Sequence, residues 1–256
     1  MAPVWHYWPD SAARTGSANM AVDQALLELA GEEGLAVLRV YRWDPHTLSF
    51  GRNEPAKRRY DRDAIAQEEI PTVRRPTGGR AVWHARELTY AVAAPTDRFG
   101  ALPAAYQAIH RTIAQALGAL GADARLAEAG GVGGLDAGAC FASPVGGEVM
   151  VRGRKVVGSA QVRVGTGMLQ HGSILLDDDQ SRVADLTVGA PASGMEAPLN
   201  AVLSRRVDAD TVAESLAAAA RRSWPGAWME LDPALVLERA ARHLPFFSSE
   251  EWTWRR

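Results

Sequence analysis

The stretch CFASPVGGEVMVRGRKVVGSAQVRVGTGMLQHGSILLD, residues 140–177, carries a clear strand pattern and much of the chain's reactive chemistry. From Glu148 onward, β-branched and apolar residues alternate with polar ones, and short turns interrupt them at 152–154 and 165–167. Alternation broken by glycine-bearing turns is typical of antiparallel strands. We therefore predict a strand meander that is entered from a glycine-rich loop at 129–139.

This stretch also contains the only cysteine, Cys140, and, fifteen positions later, one of only two lysines, Lys155. The chain has 28 basic residues, and all except Lys57 and Lys155 are arginine. A guanidinium cannot replace a compact ammonium with a shiftable pKa at a tight polar site, so Lys155 is a candidate for chemistry. A lone cysteine is most often a small buried apolar residue. Composition alone therefore leaves Cys140 open between packing and nucleophilic roles.

A second segment, RRPTGGRAVWHARELTYA at 74–91, is interpreted as the partner of the first. Gly78 and Gly79 lie in a turn where positive φ can expose backbone N–H groups to an anion or a carbonyl. The following residues, 81–95, predict a strand hairpin that bends near Ala85 and Arg86. The two segments together predict a pocket.

Helices and further strands surround these two segments. We predict an α/β (α+β) fold in which a mixed, largely antiparallel sheet is flanked by helices. No linker divides the chain, so we expect one domain over 1–256, with a motif-bearing core at 19–180 and a helical part at 181–256. The predicted helices are 19–31, with Asn19 as its cap, 56–70, 101–121, 208–222 and one that begins at Asp232 and Pro233; strands are predicted at 35–43 and 47–54.

Charge and composition exclude several classes of function. The formal net charge is -2 and the isoelectric point is about 6.3, which disfavours broad binding to nucleic acid or membrane surfaces. No apolar run approaches the roughly 20 residues that span a bilayer, so we expect a cytoplasmic protein. One cysteine allows no internal disulfide, and we expect no metal site.

The motifs in 74–91, GRKVVGSAQVR and LQHGSILLD resemble the lipoate-protein ligase and octanoyltransferase family, which shares its fold with biotin protein ligases. The segments MAVDQALLE and LRVYRWDPHTLSFGRNE resemble the start of that family's catalytic domain. Arg80 stands where ATP-dependent members usually carry a third glycine, and the run from His84 to Tyr90 resembles LipM-type octanoyltransferases. The resemblance covers roughly 19–180, and it implies a biotin/lipoate protein ligase-like catalytic domain.

The resemblance also implies roles for individual residues. Cys140 matches the position of the nucleophilic cysteine, and Lys155 is assigned first to polarising the substrate carbonyl and second to stabilising the thiolate. One departure is Val145-Gly146-Gly147-Glu148, where the family usually has a serine and an aromatic residue before the glutamate. The predicted substrate-binding residues are Arg75, Gly78, Gly79, Arg80, His84, Gly158, Ser159, Ala160 and His171.

Three functions remain open at this point. The first is transfer of octanoyl from acyl carrier protein to the lysine of a lipoyl-domain acceptor, such as the glycine cleavage H protein, with no cofactor. The second is an ATP- and magnesium-dependent lipoate-protein ligase, in which Cys140 is incidental. The third is a non-catalytic carrier-binding module. Acidic partners would dock on arginine clusters at 58–59, 74–75 or 255–256.

Overall fold

The structure is a computed structural model that describes residues 3–127, 147–177, 180–189, 196–203 and 205–256. The predicted nucleophile Cys140 lies outside the described residues. The helices are α1 (Gly16–Glu32), α2 (Ala56–Arg59), α3 (Arg62–Gln67), α4 (Leu102–Ala119), α5 (Ser181–Asp185), α6 (Leu199–Val202), α7 (Ala209–Ser223), α8 (Ala234–Phe247) and α9 (Glu250–Thr253). The strands are β1 (Val4–Pro9), β2 (Val37–Tyr41), β3 (Thr47–Phe50), β4 (Thr72–Arg74), β5 (Val82–His84), β6 (Glu87–Pro95), β7 (Ala124–Leu126), β8 (Val149–Val151), β9 (Arg154–Lys155), β10 (Val157–Val164), β11 (Gly167–Leu175) and β12 (Ala227–Glu230).

The largest sheet has the strand order β10-β11-β6-β2-β1-β12. The three pairings from β10 through β2 are antiparallel, whereas β1 pairs in parallel with both β2 and β12. Smaller sheets have the orders β4-β3-β5 and β7-β8-β9. The predicted mixed, largely antiparallel sheet flanked by helices is confirmed.

Helices cover both faces of the large sheet, and the central strand β6 shows how. Its residues Leu88, Tyr90 and Val92 pack into one apolar cluster with α4 and α7, while Ala91 and Ala93 pack into another with α1 and α8. A strand that is buried on both faces needs apolar residues at nearly every position. This explains why β6 is buried from Glu87 through Ala94 rather than alternating between core and solvent.

The predicted hairpin over 81–95 is wrong, although the chain does bend at Ala85 and Arg86. Strand β5 pairs with β3 in a small sheet, whereas β6 pairs with β11 on one edge and β2 on the other. Because both edges of β6 are occupied, β5 has no edge on which to form a hairpin. The bend instead joins two sheets and brings their side chains to a common cavity.

Helix α1 begins earlier than predicted. Thr15, not Asn19, is its N-cap, and its hydroxyl accepts a hydrogen bond from the backbone N–H of Ala18 at 3.3 Å. Asn19 is buried inside the helix, where its amide nitrogen donates to the carbonyls of Arg14 and Arg42. Both residue types can cap a helix, and long-range contacts decided between them.

Other elements differ from the sequence predictions in their extent. Helix α4 confirms the prediction at 101–121, but 56–70 forms two short helices that break at the buried Tyr60. The two parallel strands β1 and β12 were not predicted, because neither shows the alternating pattern of a half-buried strand.

No helix among the described residues is long and apolar enough to cross a membrane.

Candidate active site

A cavity lies where the large sheet meets the small β4-β3-β5 sheet. Its walls combine aromatic and apolar groups with buried polar side chains. The lining residues are Tyr41, Trp43, Arg75, Val82, His84, Thr89, Gly158, Ser159, Ala160, His171, Gly172 and Ser173. Six of the predicted substrate-binding residues are therefore brought together: Arg75, His84, Gly158, Ser159, Ala160 and His171.

Arg75 connects the remaining predicted residues to this cavity. Its guanidinium is buried and donates to the Ser49 hydroxyl at 2.6 Å, to the Gly78 carbonyl at 3.1 Å and to the Arg80 carbonyl at 2.7 Å. Gly78, Gly79 and Arg80 thus lie behind the cavity wall, in a turn that Arg75 holds. Gly79 has the expected positive φ, at 84°. By holding this turn, Arg75 stabilises the shape of the cavity wall.

His84 lies in a tightly bonded polar cluster. Its Nε2 atom is 2.6 Å from the Ser49 hydroxyl, its Nδ1 atom is 2.7 Å from a Glu87 carboxylate oxygen, and its ring stacks on Trp43. Burial lowers the pKa of His84, and the charge and hydrogen bond of Glu87 raise it by a smaller amount. The imidazole is therefore neutral near pH 7 and fixed in orientation.

Glu87 is the hub of this cluster. One of its carboxylate oxygens accepts hydrogen bonds from Thr89 at 2.6 Å and Ser173 at 3.0 Å, in addition to the His84 contact. The other carboxylate oxygen is buried and has no hydrogen-bond partner among the described residues. Sequence analysis missed Glu87, although a glutamate at the start of an otherwise apolar strand was a usable signal.

His171 lies in a second polar cluster, which is anchored on α1. Its Nε2 atom is 2.6 Å from the Thr77 hydroxyl, and its Nδ1 atom is 2.7 Å from an Asp23 carboxylate oxygen. Asp23 also accepts hydrogen bonds from Tyr41 and Arg39, both at 2.9 Å. Burial raises the pKa of Asp23, but His171, Arg39 and Tyr41 together hold it below its usual value. Asp23 is therefore an ionised group that orients the His171 ring.

Asp23 and Thr77 were missed by sequence analysis. A helix capped by Asn19, as predicted, would place Asp23 in its first turn, but Asp23 lies deep in α1 on the buried face. A carboxylate at helical spacing among apolar residues, with Leu26 and Ala30 on the same stripe, was the signal that could have identified it.

Lys155 lies on the short strand β9 and is not one of the residues that line the cavity. Its side chain is 1% exposed, and its ammonium donates to a carboxylate oxygen of the buried Glu148 at 2.5 Å. The β8-β9 turn places the pair close together, because Met150 and Lys155 are opposite one another in the ladder. A buried ammonium is stable only when a carboxylate and hydrogen bonds compensate its desolvation. Glu148, which precedes β8, supplies that carboxylate.

The cavity lining offers two kinds of surface. Trp43, Tyr41 and Val82 present apolar surface, and His84 and His171 present hydrogen-bonded imidazoles. Within the described residues, no three His, Cys, Asp or Glu side chains are grouped so that they could hold a metal ion.

Comparison with known proteins gives the same family as the motifs. The profile of the lipoyl protein ligase A/B catalytic domain matches residues 15–221. The octanoyltransferase LipM of Moorella thermoacetica is 35% identical over 261 residues, 93% of each chain, and that of Lysinibacillus sphaericus is 39% identical over 189 residues, 69% of this chain and 68% of the relative.

The fold is shared with solved lipoate-protein ligases. The structure of the bipartite lipoate protein ligase of Thermoplasma acidophilum, described together with its E2 lipoyl domain, superposes with a TM-score of 0.77 at 18% identity. The superposition covers 97% of this chain and 95% of the ligase. With the cavity, the paired lysine and the matched sequence, the chain belongs to the lipoyl protein ligase A/B catalytic domain family.

Proposed function

We propose that this chain is the octanoyltransferase of lipoate biosynthesis, and that it moves octanoyl from an acyl carrier protein to a lipoyl-domain lysine through a thioester on Cys140. The main support for this activity is the match to LipM octanoyltransferases, one of them over 93% of both chains. The donor, the acceptor and the cysteine intermediate are further steps of the proposal, and the chemistry supports each.

The proposed reaction has two steps, and in each step a nucleophile attacks the octanoyl carbonyl. The Cys140 thiolate attacks the carrier thioester, forms the enzyme thioester and releases the carrier thiol after it takes up a proton. The neutral amine of the acceptor lysine then attacks the enzyme thioester, forms the amide, loses a proton and regenerates the thiolate. Lys155 stabilises the negative charge that develops on the carbonyl oxygen in both steps. Neither step consumes nucleotide or requires a metal ion.

The ATP-dependent ligase remains the alternative function. It would adenylate a free acid in the same cavity and would leave Cys140 without a chemical role. The likeness to a lipoate protein ligase, at 18% identity, supports a shared fold and does not favour this reaction over octanoyl transfer. The carrier-binding module is a weaker alternative, since it assigns no chemical role to the cavity, the histidine clusters or the buried lysine.

Intact-mass measurement of the protein after incubation with octanoyl-acyl carrier protein, without nucleotide, tests the cysteine intermediate. We expect an octanoyl adduct on the wild type and none on Cys140→Ala, because no other residue of the chain bears a thiol. A subsequent chase with a lipoyl domain should remove the adduct and modify the acceptor. ATP-dependent modification by free octanoate, without an adduct, would support the ligase; carrier binding without either product would support the module.

Docking of an acidic carrier protein requires a local basic surface, and the structure changes which residues can supply it. Arg74 and Arg75 are buried, so that predicted cluster is wrong. The C-terminal cluster gains members instead: the Arg256 carbonyl accepts a hydrogen bond from the Lys57 backbone N–H, and Arg255 donates to the Arg52 carbonyl. Burial and the charges of Arg256 and Arg52 lower the pKa of Arg255, as expected where positive charges crowd.

Charge reversal tests this basic surface, which we define as Arg52, Lys57, Arg255 and Arg256. The double variant Arg52→Glu/Arg256→Glu should raise the KM for octanoyl-acyl carrier protein by about tenfold, an effect that weakens as ionic strength increases. The KM for octanoyl-pantetheine should stay unchanged, because it has no acidic protein surface. Arg222→Glu on α7 is the matched control. An unchanged carrier KM in the double variant would exclude this surface from docking.

A further inference from the structure

His110 on α4 is a buried group that the mechanism above does not use. It has no exposed surface, and both of its ring nitrogens have partners: Nδ1 lies 2.7 Å from the Gly147 carbonyl oxygen and Nε2 lies 2.8 Å from the Ser159 hydroxyl. Gly147 directly precedes Glu148, the partner of Lys155, and follows Cys140 by seven positions in the sequence. Ser159 lines the cavity. His110 therefore bridges the lysine side and the cavity side of the site.

The direction of every hydrogen bond at His110 is determined. A carbonyl oxygen can only accept, so Nδ1 must carry the proton toward Gly147. Burial lowers the pKa of His110 to about 4, and the Lys155 charge acts in the same direction. The ring is therefore neutral near pH 7, its Nε2 has no proton, and the Ser159 hydroxyl must donate to it.

The assignment of donors and acceptors continues across the sheet. Because Ser159 donates to His110, its oxygen accepts from the Tyr90 hydroxyl at 2.7 Å, and Tyr90 accepts from the Gln170 amide nitrogen at 2.8 Å. Gln170 in turn accepts from Gln161 at 2.7 Å. Burial raises the pKa of Tyr90, so its hydroxyl stays protonated and remains a donor. The result is one ordered chain of hydrogen bonds that ends on the Gly147 carbonyl.

Gly172 allows this chain to form. Ser159, Gly172 and Tyr90 are opposite one another on β10, β11 and β6, so Gly172 separates the other two residues. A Cβ atom at Gly172 would lie 2.5 Å from the Ser159 hydroxyl oxygen and 2.9 Å from the Tyr90 ring. Only glycine lets the two hydroxyls meet across the middle strand. The network is therefore built into three strands and α4 together.

We propose that His110 is a positioning residue for acyl transfer, whose Nδ1–H holds Gly147 and thereby the adjacent Glu148–Lys155 pair, while its Nε2 holds the Ser159 hydroxyl in the cavity wall. The inference rests on the proposed function, since acyl transfer is its readout. In this proposal, the two ring nitrogens of His110 have separate roles. The Gly147 contact acts on the chemical step, and the Ser159 contact acts on binding of the acyl donor.

Two amide variants separate these contacts. His110→Asn places an amide near the position of Nδ1 and can keep the bond to Gly147, whereas His110→Gln reaches the position of Nε2 and can keep the bond to Ser159. With octanoyl-pantetheine as donor, we expect His110→Asn to raise KM and His110→Gln to lower kcat, each by about tenfold and with the other parameter nearly unchanged. Ser159→Ala should reproduce the KM effect.

Thr112→Val provides the matched control, because Thr112 is also a buried polar residue on α4 but bonds to the Ala108 carbonyl and to Trp224, away from the cavity. It should lower the thermal midpoint and leave kcat and KM unchanged. If both His110 variants lose activity only in proportion to their folded fraction, as Thr112→Val would, His110 is a structural residue and the inference is wrong. If the wild type transfers no octanoyl at all, the proposed function fails instead, and the two failures are distinguishable.

Discussion

Replacing Lys155 with methionine is expected to slow octanoyl transfer strongly and to destabilise the protein at the same time. Removing one member of a buried ion pair takes the Lys155 charge away from the buried Glu148 carboxylate, which costs about 3–5 kcal/mol. For a domain of this size, that corresponds to a fall in the thermal midpoint of roughly 10 °C. In the proposed mechanism this charge stabilises the developing oxyanion, so its loss should lower kcat by about 10²–10³.

A double variant separates the two consequences. Replacing the pair with apolar residues, Glu148→Leu/Lys155→Met, removes the uncompensated charge and should restore stability to within about 1 kcal/mol of the wild type. Octanoyl transfer should remain as slow as in Lys155→Met, because the ammonium is still absent. Denaturant unfolding and single-turnover transfer from octanoyl-pantetheine provide the two readouts. A stable double variant that transfers octanoyl at the wild-type rate would show that Lys155 serves only to neutralise Glu148.

Gly51→Ala should have the second largest effect, although Gly51 is not one of the residues that line the cavity. A Cβ atom there would lie 1.8 Å from the Gly79 carbonyl oxygen and 2.7 Å from its carbonyl carbon, so backbone would have to move. Neither loop can move easily: the Gly51 carbonyl accepts from the buried Arg74 at 2.6 Å, and Arg52 N–H donates to the Thr77 carbonyl at 2.7 Å. We expect a loss of about 3 kcal/mol in the free energy of unfolding.

Function should fall with stability, because Thr77 is the hydrogen-bond partner of His171 and the turn after it closes behind the cavity. Gly78→Ala is the control on the same turn, since a Cβ atom at Gly78 would have no heavy atom within 4 Å and its φ is not positive. It should change stability by about 0.5 kcal/mol or less. Equal stability losses in Gly51→Ala and Gly78→Ala would mean that the turn is sensitive to any side chain and that close backbone approach is not the cause.

Local sequence patterns predicted the elements that carry the chemistry. Strands β10 and β11, helix α4 and the turn with Gly79 were predictable because their signals, alternation, helical spacing and paired glycines, lie within a few residues. The same motifs identified six residues that line one cavity, among them Arg75, Ser159 and His171. Residues of one motif are close in sequence and therefore stay close in the fold. This is why each of the two motif segments contributes several residues to the cavity.

Predictions failed where an element depended on what packs against it. The hairpin at 81–95 looked correct locally, but β2 and β11 occupy both edges of β6, and sequence spacing says nothing about which strands compete for an edge. Strand β1 was missed because its residues do not alternate between apolar and polar: only Trp5 and Trp8 are buried, three positions apart.

By itself, the sequence determined the fold class and the family, and it named the candidate reactive side chains, because each of these depends on motifs within short segments. Only the tertiary structure decided how those side chains are held: Asp23 orients His171 across 148 positions, and His110 on α4 joins Gly147 to Ser159 on β10. The physical reason is that burial makes an unpaired polar group costly, so the fold must bring a partner from wherever the chain can supply one. Which residue becomes that partner is set by sheet order and helix packing, and these arise from long-range contacts.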